Sequence, residues 1–455
     1  MCQTNGPTFH RMKKVILILG AGRSSSSLIT HVLGQAEAKG WHVQVGDLDR
    51  AVAEAKVANH PSGEAFGMAA DDPTERDARI AKADLVISML PAFMHVDVAR
   101  VAIASGVHVI TPSYVSPEMR ALHDEACNAG VLVLNEMGLD PGIDHMSAMQ
   151  IIDAIRNEGG VIRGFSSYCG GLVAPASDDN PWHYKLSWNP RNVVLAGQGG
   201  SASFLKDGRL RVVPPHRVFQ SLIDVEVDGR SYQGYPNRDS LSYVDLYGLR
   251  HAQTLVRGTL RSEGFCESWD VLVKLGLVRD DVSLTWPEGI SWAEWTRSFL
   301  PASTEGVGVV REAVARVTGA SEAALDRVAW LGLFDLDAGP TRTTGTPAQV
   351  MESLLTEAWR LGDGDRDMIV MWHRFDYEQN GQTRTKTASL CLEGRDSVFT
   401  AMSDTVGLPM ALAVEPMLNG HFGQTGVALP MTPNIYEPLL AGLAELGIRF
   451  DEREA

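Results

Sequence analysis

The chain has 455 residues, of which 44% are hydrophobic and 21% charged, and its formal net charge is −16. This length predicts two or three domains, and the composition is that of an ordinary soluble globular protein. The acidic balance argues against nucleic acid or an anionic membrane as a partner, and no apolar run is long enough to span a membrane.

The first predicted elements are a strand, a turn and a helix. Val15–Leu19 is a continuous apolar run, typical of a parallel strand that is buried on both faces. The next residues, 20–25, read GAGRSS, with Gly20 where a tight turn needs glycine and Gly22 where the backbone must approach a pyrophosphate. A helix starting near Ser24 directs its amide groups toward phosphates. The pattern predicts a dinucleotide-binding unit; the alternative is a glycine-rich turn in another α/β fold.

The second predicted strand, His42–Val45, is followed by two acidic residues, Asp47 and Asp49. Asp47 follows the turn by about 20 residues, the spacing of the acid that binds the ribose 2′-hydroxyl. A carboxylate there repels a 2′-phosphate, so we predict a preference for NAD, with NADP as the alternative cofactor. Ser25 replaces the third glycine of the motif, and its hydroxyl can also reach a phosphate.

Strands and helices continue to alternate up to about residue 140. The later predicted strands are Ala65–Ala69, Leu85–Met89, Val107–Ile110 and Val131–Leu134, and the helices between them are Arg76–Ala81, Val96–Ser105 and Pro117–Ala129. Six strands alternating with helices predict an α/β fold with a doubly wound, Rossmann-type parallel sheet. Ligands of such sheets bind outside the carboxyl ends of the strands, so the peptides that follow the strands are the expected place of a site.

After about residue 143 the pattern becomes that of an α+β substrate domain with a largely antiparallel sheet. A helix over Met146–Asn157 precedes β-like runs at Ile162–Tyr168, Arg191–Leu195, Arg209–Val213, Ser221–Val227, Gln253–Leu260, Met368–Tyr377 and Thr385–Glu393. The predicted domains are a dinucleotide-binding domain at 13–140, a mixed α/β substrate and dimerisation domain at 141–264 and 361–430, and a small helical insertion at 265–360. A C-terminal helix near 430–455 is expected to pack back on the first domain.

The N-terminus and the cysteines bear on the cellular compartment. Residues 1–11 contain no hydrophobic stretch, so we expect an N-terminal extension and no secretory signal. The five cysteines are scattered and form no C-x-x-C pair, so neither a disulfide framework nor a zinc site is predicted. We expect a cytoplasmic protein that holds no metal.

Four blocks rich in glycine, proline and ionisable residues follow the nucleotide unit: Asn135–His145, Ser167–Arg191, Tyr235–Ser240 and Arg257–Arg261. Each block alone is also compatible with an ordinary turn or loop, where glycine and proline are common. In the last block, alternate residues of a strand place two arginines on one face, which suits recognition of carboxylates because the guanidinium matches both oxygens. The alternative is a solvated strand face.

These blocks also carry a family resemblance. Together with GAGRSS, the segments SYVSPEMR, NEMGLDPGIDH, YCGGL, DNPWHYKLSW, YPNRDS and WLGLF resemble the L-glutamate-forming saccharopine dehydrogenases, also called saccharopine reductases. The resemblance extends from about Lys13 to about Gly447. It implies a homodimeric enzyme that uses NAD(P) to interconvert saccharopine with L-glutamate and 2-aminoadipate 6-semialdehyde, by hydride transfer at a C–N bond.

The resemblance assigns site residues in this chain. It implies acid–base roles for Asp140, Tyr114 and Cys169. The dinucleotide would contact Gly20, Ala21, Gly22, Arg23, Ser24, Ser25, Asp47, Leu48, Asp49, Leu90 and Leu139, and the substrate Pro112, Ser113, Asp140, Arg238, Thr259, Leu260 and Arg261. Simpler interpretations stay open: Asp140 as a turn former, Tyr114 as a cap of the sheet end, and Cys169 as a small buried apolar residue. His145 is expected to be structural, because a helix N-terminus disfavours a charged imidazole.

Two other functions remain as alternatives. One is a related dehydrogenase that reduces an imine of another carboxylated amine; Arg238 and Arg261 favour the substrate with several carboxylates. The other is a non-catalytic NAD-binding sensor, which would be expected to have lost the acid–base groups. The chain departs from the family pattern at Pro112, which removes a backbone donor and a hydroxyl, and at Val173–Ala176.

Overall fold

A computed structural model describes residues 13–69 and 72–454 of the chain. The predicted N-terminal extension over 1–11 lies outside these described residues. The described chain forms two compact units. The first contains the residues up to Met146 together with Ser403–Gly447, and the second contains Ser147–Met402 and the residues from Ile448 onward.

The first part of the chain alternates strands and helices, as the apolar pattern predicts. Its elements are β1 (Lys14–Leu19), α1 (Ser26–Lys39), β2 (Trp41–Asp47), α2 (Arg50–Val57), β3 (Gly63–Gly67), α3 (Pro73–Ile80), β4 (Leu85–Ser88), α4 (His95–Ala104), β5 (His108–Ile110), α5 (Pro117–Arg120), α6 (His123–Asn128), β6 (Leu132–Leu134) and α7 (Ile143–Asn157). The single helix expected over Pro117–Ala129 is thus two short helices.

The middle of the chain supplies the second unit. Its elements are β7 (Val161–Val173), α8 (Pro190–Val194), β8 (Ala202–Lys206), β9 (Arg209–Val213), β10 (Ile223–Val227), β11 (Arg230–Pro236), α9 (Tyr243–Leu246), β12 (Thr254–Arg261), α10 (Phe265–Leu275), β13 (Leu284–Thr285), α11 (Trp292–Arg297), α12 (Val310–Thr318), α13 (Glu322–Trp330), β14 (Thr344–Gly345), α14 (Pro347–Ala358), β15 (Asp367–Gln379) and β16 (Gln382–Glu393). The last elements are α15 (Ala401–Leu418), β17 (Gly426–Ala428), α16 (Pro433–Glu445) and β18 (Asp451–Glu454).

The sheet of the first unit has the order β17-β6-β5-β4-β1-β2-β3, and its described strand pairs are all parallel. The six strands expected from the sequence are present, and β17 adds a seventh at one edge. The order reverses between β1 and β4, and a doubly wound sheet binds its ligand at such a reversal, outside the carboxyl ends. The glycine-rich turn after β1 lies at this position.

The C-terminal part of the first unit returns through α15 and β17. At the start of α1, the Ser27 amide donates to the Ser403 hydroxyl over 3.0 Å, and a Cβ at Gly407 would lie 2.8 Å from the Leu28 nitrogen. Strand β17 pairs with β6. Residues 403–430 therefore lie in the first unit, whereas the sequence pattern groups them with the substrate domain, because these contacts join segments that are far apart in the chain.

The large sheet of the second unit runs β10-β11-β12-β7-β15-β16-β18, with β8 on β12 and β9 on β8. Among its described pairs, β12–β7 is parallel and the others are antiparallel, as predicted. The strand predicted at Arg191–Leu195 is wrong, because this segment forms α8. Pro190 occupies its first turn, and the Asn189 side chain accepts from the Arg191 amide over 2.9 Å, which caps the helix.

The helices between β12 and β15 lie within the second unit and are packed around a tryptophan-rich core. Trp182, Trp269 and Trp359 are fully buried, and Phe265 stacks on Trp269 with ring centroids 5.6 Å apart. Because Phe265 begins the helix that follows β12, this core holds the end of that strand in place. None of the described helices is both long and apolar enough for a membrane crossing.

Candidate active site

The glycine-rich turn follows β1 with a geometry that needs glycine at its first position. Gly20 has φ +100°, and a Cβ there would lie 2.9 Å from the Met89 carbonyl oxygen. A short 3₁₀ turn over Arg23–Ser25 then leads into α1, so the α-helix begins slightly later than expected. At Gly22 a Cβ would meet no protein atom within 4 Å. The protein itself does not require glycine there, but close approach of a phosphate would.

Ser25 and Lys56 hold this turn from inside. The buried Ser25 hydroxyl donates to the Gly22 carbonyl over 2.8 Å and accepts from Lys56 Nζ over 3.0 Å. Lys56 also donates to the Gly22 carbonyl. Burial lowers the pKa of Lys56 to about 8, and the nearby Asp47 carboxylate opposes that shift. The Ser25 hydroxyl is therefore already engaged within the turn, and Lys56 is a residue that the glycine motif did not indicate.

Asp47 links the end of β2 to the same turn. Its Oδ2 accepts from the Ala21 amide over 2.6 Å, and its Oδ1 accepts from the Asp49 amide over 3.1 Å. Asp49 caps α2 by accepting from the Ala51 amide, and Leu48 between them is 78% exposed. Each carboxylate oxygen has a second lone pair, so Asp47 can still accept the hydroxyls of a ribose.

Tyr114 and Asp140 come together at the carboxyl end of the sheet. The Tyr114 hydroxyl donates to Asp140 Oδ1 over 2.9 Å, and both side chains are half-buried. Asp140 lies on a tight loop in which the Gly138 amide donates to the Pro141 carbonyl, and a Cβ at Gly142 would lie 2.0 Å from the Gly138 carbonyl oxygen. The loop thus needs its glycines to present Asp140 to the tyrosine.

A buried glutamate joins the two segments that carry this pair. Glu136 has φ +56°; its Oε1 accepts from the Val115 amide over 3.0 Å, and its Oε2 lies 2.7 Å from His145 Nε2. Val115 directly follows the tyrosine, and His145 directly follows the aspartate loop, at the start of α7. His145 contacts a buried carboxylate here, and Glu136 was not singled out from the sequence.

Ser113 stands at the end of a buried hydrogen-bonded chain. Ser88 Oγ lies 2.9 Å from His95 Nδ1, and His95 Nε2 lies 2.8 Å from Ser113 Oγ. Burial lowers the pKa of the His95 imidazole to about 4, so the ring is neutral near pH 7. The half-buried Pro112 precedes Ser113 and approaches the aspartate loop at Gly138.

Two further residues predicted to contact the dinucleotide follow the strands of this sheet. Leu90 lies two residues after β4 and is half-buried, and Leu139 precedes the aspartate and is buried. Both stand at the carboxyl ends of the strands, where the fold binds its ligands.

In the second unit, Arg261 is a buried guanidinium among aromatic rings. It is 4% exposed, and its guanidinium carbon lies 5.2 Å from the ring centroids of Tyr184 and Phe265. Its Nη1 donates to the Leu260 carbonyl, and its Nε has no hydrogen-bond partner. No described carboxylate pairs with it. A buried charge without a counter-ion is costly, so this position suits an anionic ligand.

Strand β12 carries the other residues of this group. Alternate side chains point to opposite faces, so Arg257, Thr259 and Arg261 share one face. Cys169 of β7 is buried on the same face, because it is the register partner of Thr259. Leu260 points to the other face and is fully buried in an apolar core, so its side chain does not lie with the arginines.

Arg238 lies in the loop after β11, which is bonded to β12: the Asn237 amide donates to the Arg257 carbonyl over 2.9 Å, and the Arg257 amide donates to the Ser240 hydroxyl over 2.9 Å. Arg238 is exposed and has φ +52°. The residues assigned from the sequence thus form two groups: the turn residues, Ser113, Tyr114 and Asp140 in the first unit, and Cys169, Arg238 and the β12 residues in the second.

Comparison with protein families covers almost the whole chain. Residues 16–134 match the family described as saccharopine dehydrogenase NADP binding domain, and residues 138–448 match the saccharopine dehydrogenase C-terminal domain. The structure is similar to the apo, histidine-tagged saccharopine dehydrogenase (L-Glu forming) from Saccharomyces cerevisiae, with a TM-score of 0.86 and 34% identity, over 97% of this chain and 100% of that one.

Curated relatives point to the same family as these domain matches. The saccharopine dehydrogenase (NADP(+), L-glutamate-forming) of Saccharomyces cerevisiae is 35% identical over 97% of this chain and 99% of its own, and that of Pyricularia oryzae is 38% identical over 84% and 87%. The mitochondrial alpha-aminoadipic semialdehyde synthase of Bos taurus is 34% identical over 96% of this chain and 47% of its own length. The chain therefore belongs to the saccharopine dehydrogenase family of oxidoreductases.

Proposed function

We propose that the chain oxidises saccharopine to L-glutamate and 2-aminoadipate 6-semialdehyde, a reaction of lysine metabolism, and also catalyses the reverse reaction. The observation that carries this proposal is Arg261, a buried guanidinium that no described carboxylate neutralises. Saccharopine bears three carboxylates, and a chain of net charge −16 must gather cations locally to hold them. The names of the relatives refer to the same reaction.

The Tyr114–Asp140 pair supports an acid–base role in this reaction. The secondary amine of saccharopine must lose a proton before hydride leaves its carbon and an imine forms. Water then adds to the imine, and the C–N bond of the resulting carbinolamine breaks with further proton transfers to give the aldehyde and the amine of glutamate. Asp140 accepts the amine proton, and the Tyr114 hydroxyl stabilises the carboxylate and takes part in the transfers. A dinucleotide held by the turn at residues 20–25 and by Asp47 would supply the hydride acceptor. Cys169, buried beside Thr259, is the third acid–base residue in this proposal.

The binding of substrate carboxylates falls to several residues. Arg261 and Arg238 supply the positive charges, while Thr259 and Ser113 supply hydroxyl donors. Pro112 and the backbone of Leu260 shape the surroundings.

Asp47 and the names of the relatives point to different dinucleotides. The matched family is described as NADP binding, and the fungal relatives are named for NADP(+). Asp47 instead favours NAD, because its carboxylate accepts ribose hydroxyls and repels a 2′-phosphate. We propose that the chain uses both dinucleotides and prefers NAD, which would favour the degradative direction where NAD is mostly oxidised.

The decisive experiment follows the reduction of NAD and NADP by the purified protein with saccharopine. Reduction of NAD at higher catalytic efficiency supports the whole proposal, whereas higher efficiency with NADP supports the reaction and removes the cofactor preference. If neither is reduced although NAD binds, the proposed reaction is wrong. A panel of amino acids paired with aldehydes then separates another carboxylated amine as substrate from a non-catalytic sensor.

Three further predictions concern the oligomeric state, the cellular location and the domain boundaries of the protein. The homodimer is tested by light scattering during size-exclusion chromatography, and the cytoplasmic location by fractionation of cells. Limited proteolysis tests the domain boundaries predicted at 13–140, 141–264 with 361–430, and 265–360 against the grouping of residues 403–430 with the first unit.

A further inference from the structure

We propose that Ser88 and His95 set the direction of the hydrogen bonds around Ser113, so that the Ser113 hydroxyl is presented as a donor to a carboxylate of the substrate. His95 is then a positioning residue that acts through Ser113. The inference rests on the proposed function for the identity of the carboxylate, but the arrangement itself is a property of the first unit alone.

The geometry places the three side chains in one line. Ser88 is the last residue of β4, His95 is the first residue of α4, and Ser113 follows β5. The two contacts, 2.9 Å and 2.8 Å, use both nitrogens of the imidazole. Ser88 is fully buried and His95 is 3% exposed, while Ser113 is half-buried. The three hydrogen-bonded side chains thus form a line from the interior of the sheet to the predicted substrate side.

A neutral imidazole makes this chain directional. It has one N–H donor and one nitrogen lone pair, so each of the two contacts has a defined donor. In one arrangement Ser88 donates to Nδ1 of His95, and Nε2–H donates to Ser113. In the other arrangement Ser113 donates to Nε2, and Nδ1–H donates to Ser88. The first leaves the Ser113 hydrogen for a ligand, and the second uses it up.

A carboxylate has no hydrogen of its own, so it requires the first arrangement. The neighbouring groups offer few other donors at this strand end. Pro112 has no N–H, the Thr111 amide donates to the Leu134 carbonyl, and the Ser113 amide lies 3.4 Å from Thr111 Oγ1. We therefore assign the proton of His95 to Nε2. The buried Ser88 selects this tautomer by donating to Nδ1.

The first test needs no substrate. The protein is labelled with nitrogen-15 histidine, and long-range proton–nitrogen correlation spectra are recorded on the ligand-free protein near pH 7. The His95 signals are identified by their loss in the His95→Gln variant. We expect Nε2 to be protonated and Nδ1 to be an acceptor. A protonated Nδ1 with an unprotonated Nε2 overturns the inference, whatever the enzyme acts on.

The second test is a double-mutant cycle on the saccharopine Michaelis constant. Ser113→Ala should raise it about tenfold to a hundredfold, because a hydrogen bond to a charged group is lost. Ser88→Ala should raise it about threefold to tenfold, with kcat and the constant for NAD little changed. The double variant should be no worse than Ser113→Ala, because without the hydroxyl the direction no longer matters.

The control is Ser62→Ala, which removes an equally buried serine just before β3, at the amino end of the strands. It should leave all three constants unchanged. If Ser88→Ala and Ser113→Ala have additive effects, or if Ser88→Ala behaves like the control, the inference is wrong. If the wild-type protein does not oxidise saccharopine, the proposed function fails, and the tautomer measurement still decides the inference.

Discussion

The Tyr114 hydroxyl donates a hydrogen bond to Asp140 Oδ1 over 2.9 Å, within one compact unit. The two residues are 26 positions apart in the chain, and Glu136 ties the backbone segments that carry them. A phenol that donates to a carboxylate stabilises the ionised acid, which is the form that accepts a proton from an amine. Contacts among residues of the first unit therefore hold the pair together.

Replacement of Asp140 tests this assignment most directly. Asp140→Asn keeps the shape of the side chain but removes the proton acceptor, so we expect kcat to fall by about 10²–10⁴-fold. Tyr114→Phe should lower kcat less and shift the acidic limb of its pH profile upward, because the carboxylate loses a donor. Steady-state kinetics across pH measure both effects, and fluorescence titration should find unchanged dinucleotide affinity. A wild-type pH profile for Asp140→Asn removes Asp140 from the mechanism.

Replacing Arg261 should have opposite effects on stability and on substrate binding. Arg261→Met removes a buried charge that no carboxylate in the described part of the chain neutralises, so the ligand-free variant should gain about 1–3 kcal/mol in free energy of unfolding. Its saccharopine Michaelis constant should rise about tenfold to a hundredfold, because a charge-assisted bond is lost. Urea unfolding and initial rates measure the two effects. Arg211→Met, at an exposed position of β9, is the control and should change neither; a substrate constant unchanged in Arg261→Met would contradict the assignment.

Asp47 predicts a shift in cofactor preference. Asp47→Asn keeps an acceptor for the Ala21 amide but removes the charge, so the ratio of catalytic efficiencies should move toward NADP by about tenfold to a hundredfold. Asp49→Asn removes a charge two residues away and keeps the cap of α2, so its ratio should stay near that of the wild type. Equal shifts in both variants would mean that general charge, rather than the Asp47 carboxylate, sets the preference.

His95 predicts a specific sensitivity to acid. Its pKa is about 4 in the folded protein, against an ordinary value of 6.5, because the ring is buried. Between these two values the unfolded chain binds a proton that the folded chain does not, so stability falls as the pH falls from 6.5 to 4. Relative to His95→Gln, the wild type should lose on the order of 3 kcal/mol more between pH 7 and pH 4. Urea unfolding at the two pH values measures this difference. If the wild type and the His95→Gln variant lose the same free energy of unfolding between these pH values, the neutral, buried state of the ring is contradicted.

Local pattern predicted much of the first unit because its signals are short in range. An apolar run such as Val15–Leu19 specifies a buried strand, Gly20 permits the turn after it, and Asp47 follows at the spacing that the βαβ unit imposes. The parallel order then brings the carboxyl ends of the strands together. Tyr114 and Asp140 follow two neighbouring strands, so both belong to the peptides where the sequence predicted a site.

The segment at Arg191–Leu195 shows where a local pattern was misread. Its β-branched residues suggested a strand, but Asn189 and Pro190 provide the cap and first turn of a helix. Those signals were in the sequence, and giving them more weight than the valines would have predicted α8 correctly.

By itself, then, the sequence determined the α/β class, the dinucleotide turn and the residue types available for acid–base chemistry, because each depends on spacing within a short window. Tertiary structure alone decided which distant groups meet. It brought α15 against α1, turned the Ser25 hydroxyl inward to Lys56, enclosed Arg261 among aromatic rings without a counter-ion, and aligned Ser88, His95 and Ser113. Such contacts follow from the packing of whole elements, which no local pattern encodes.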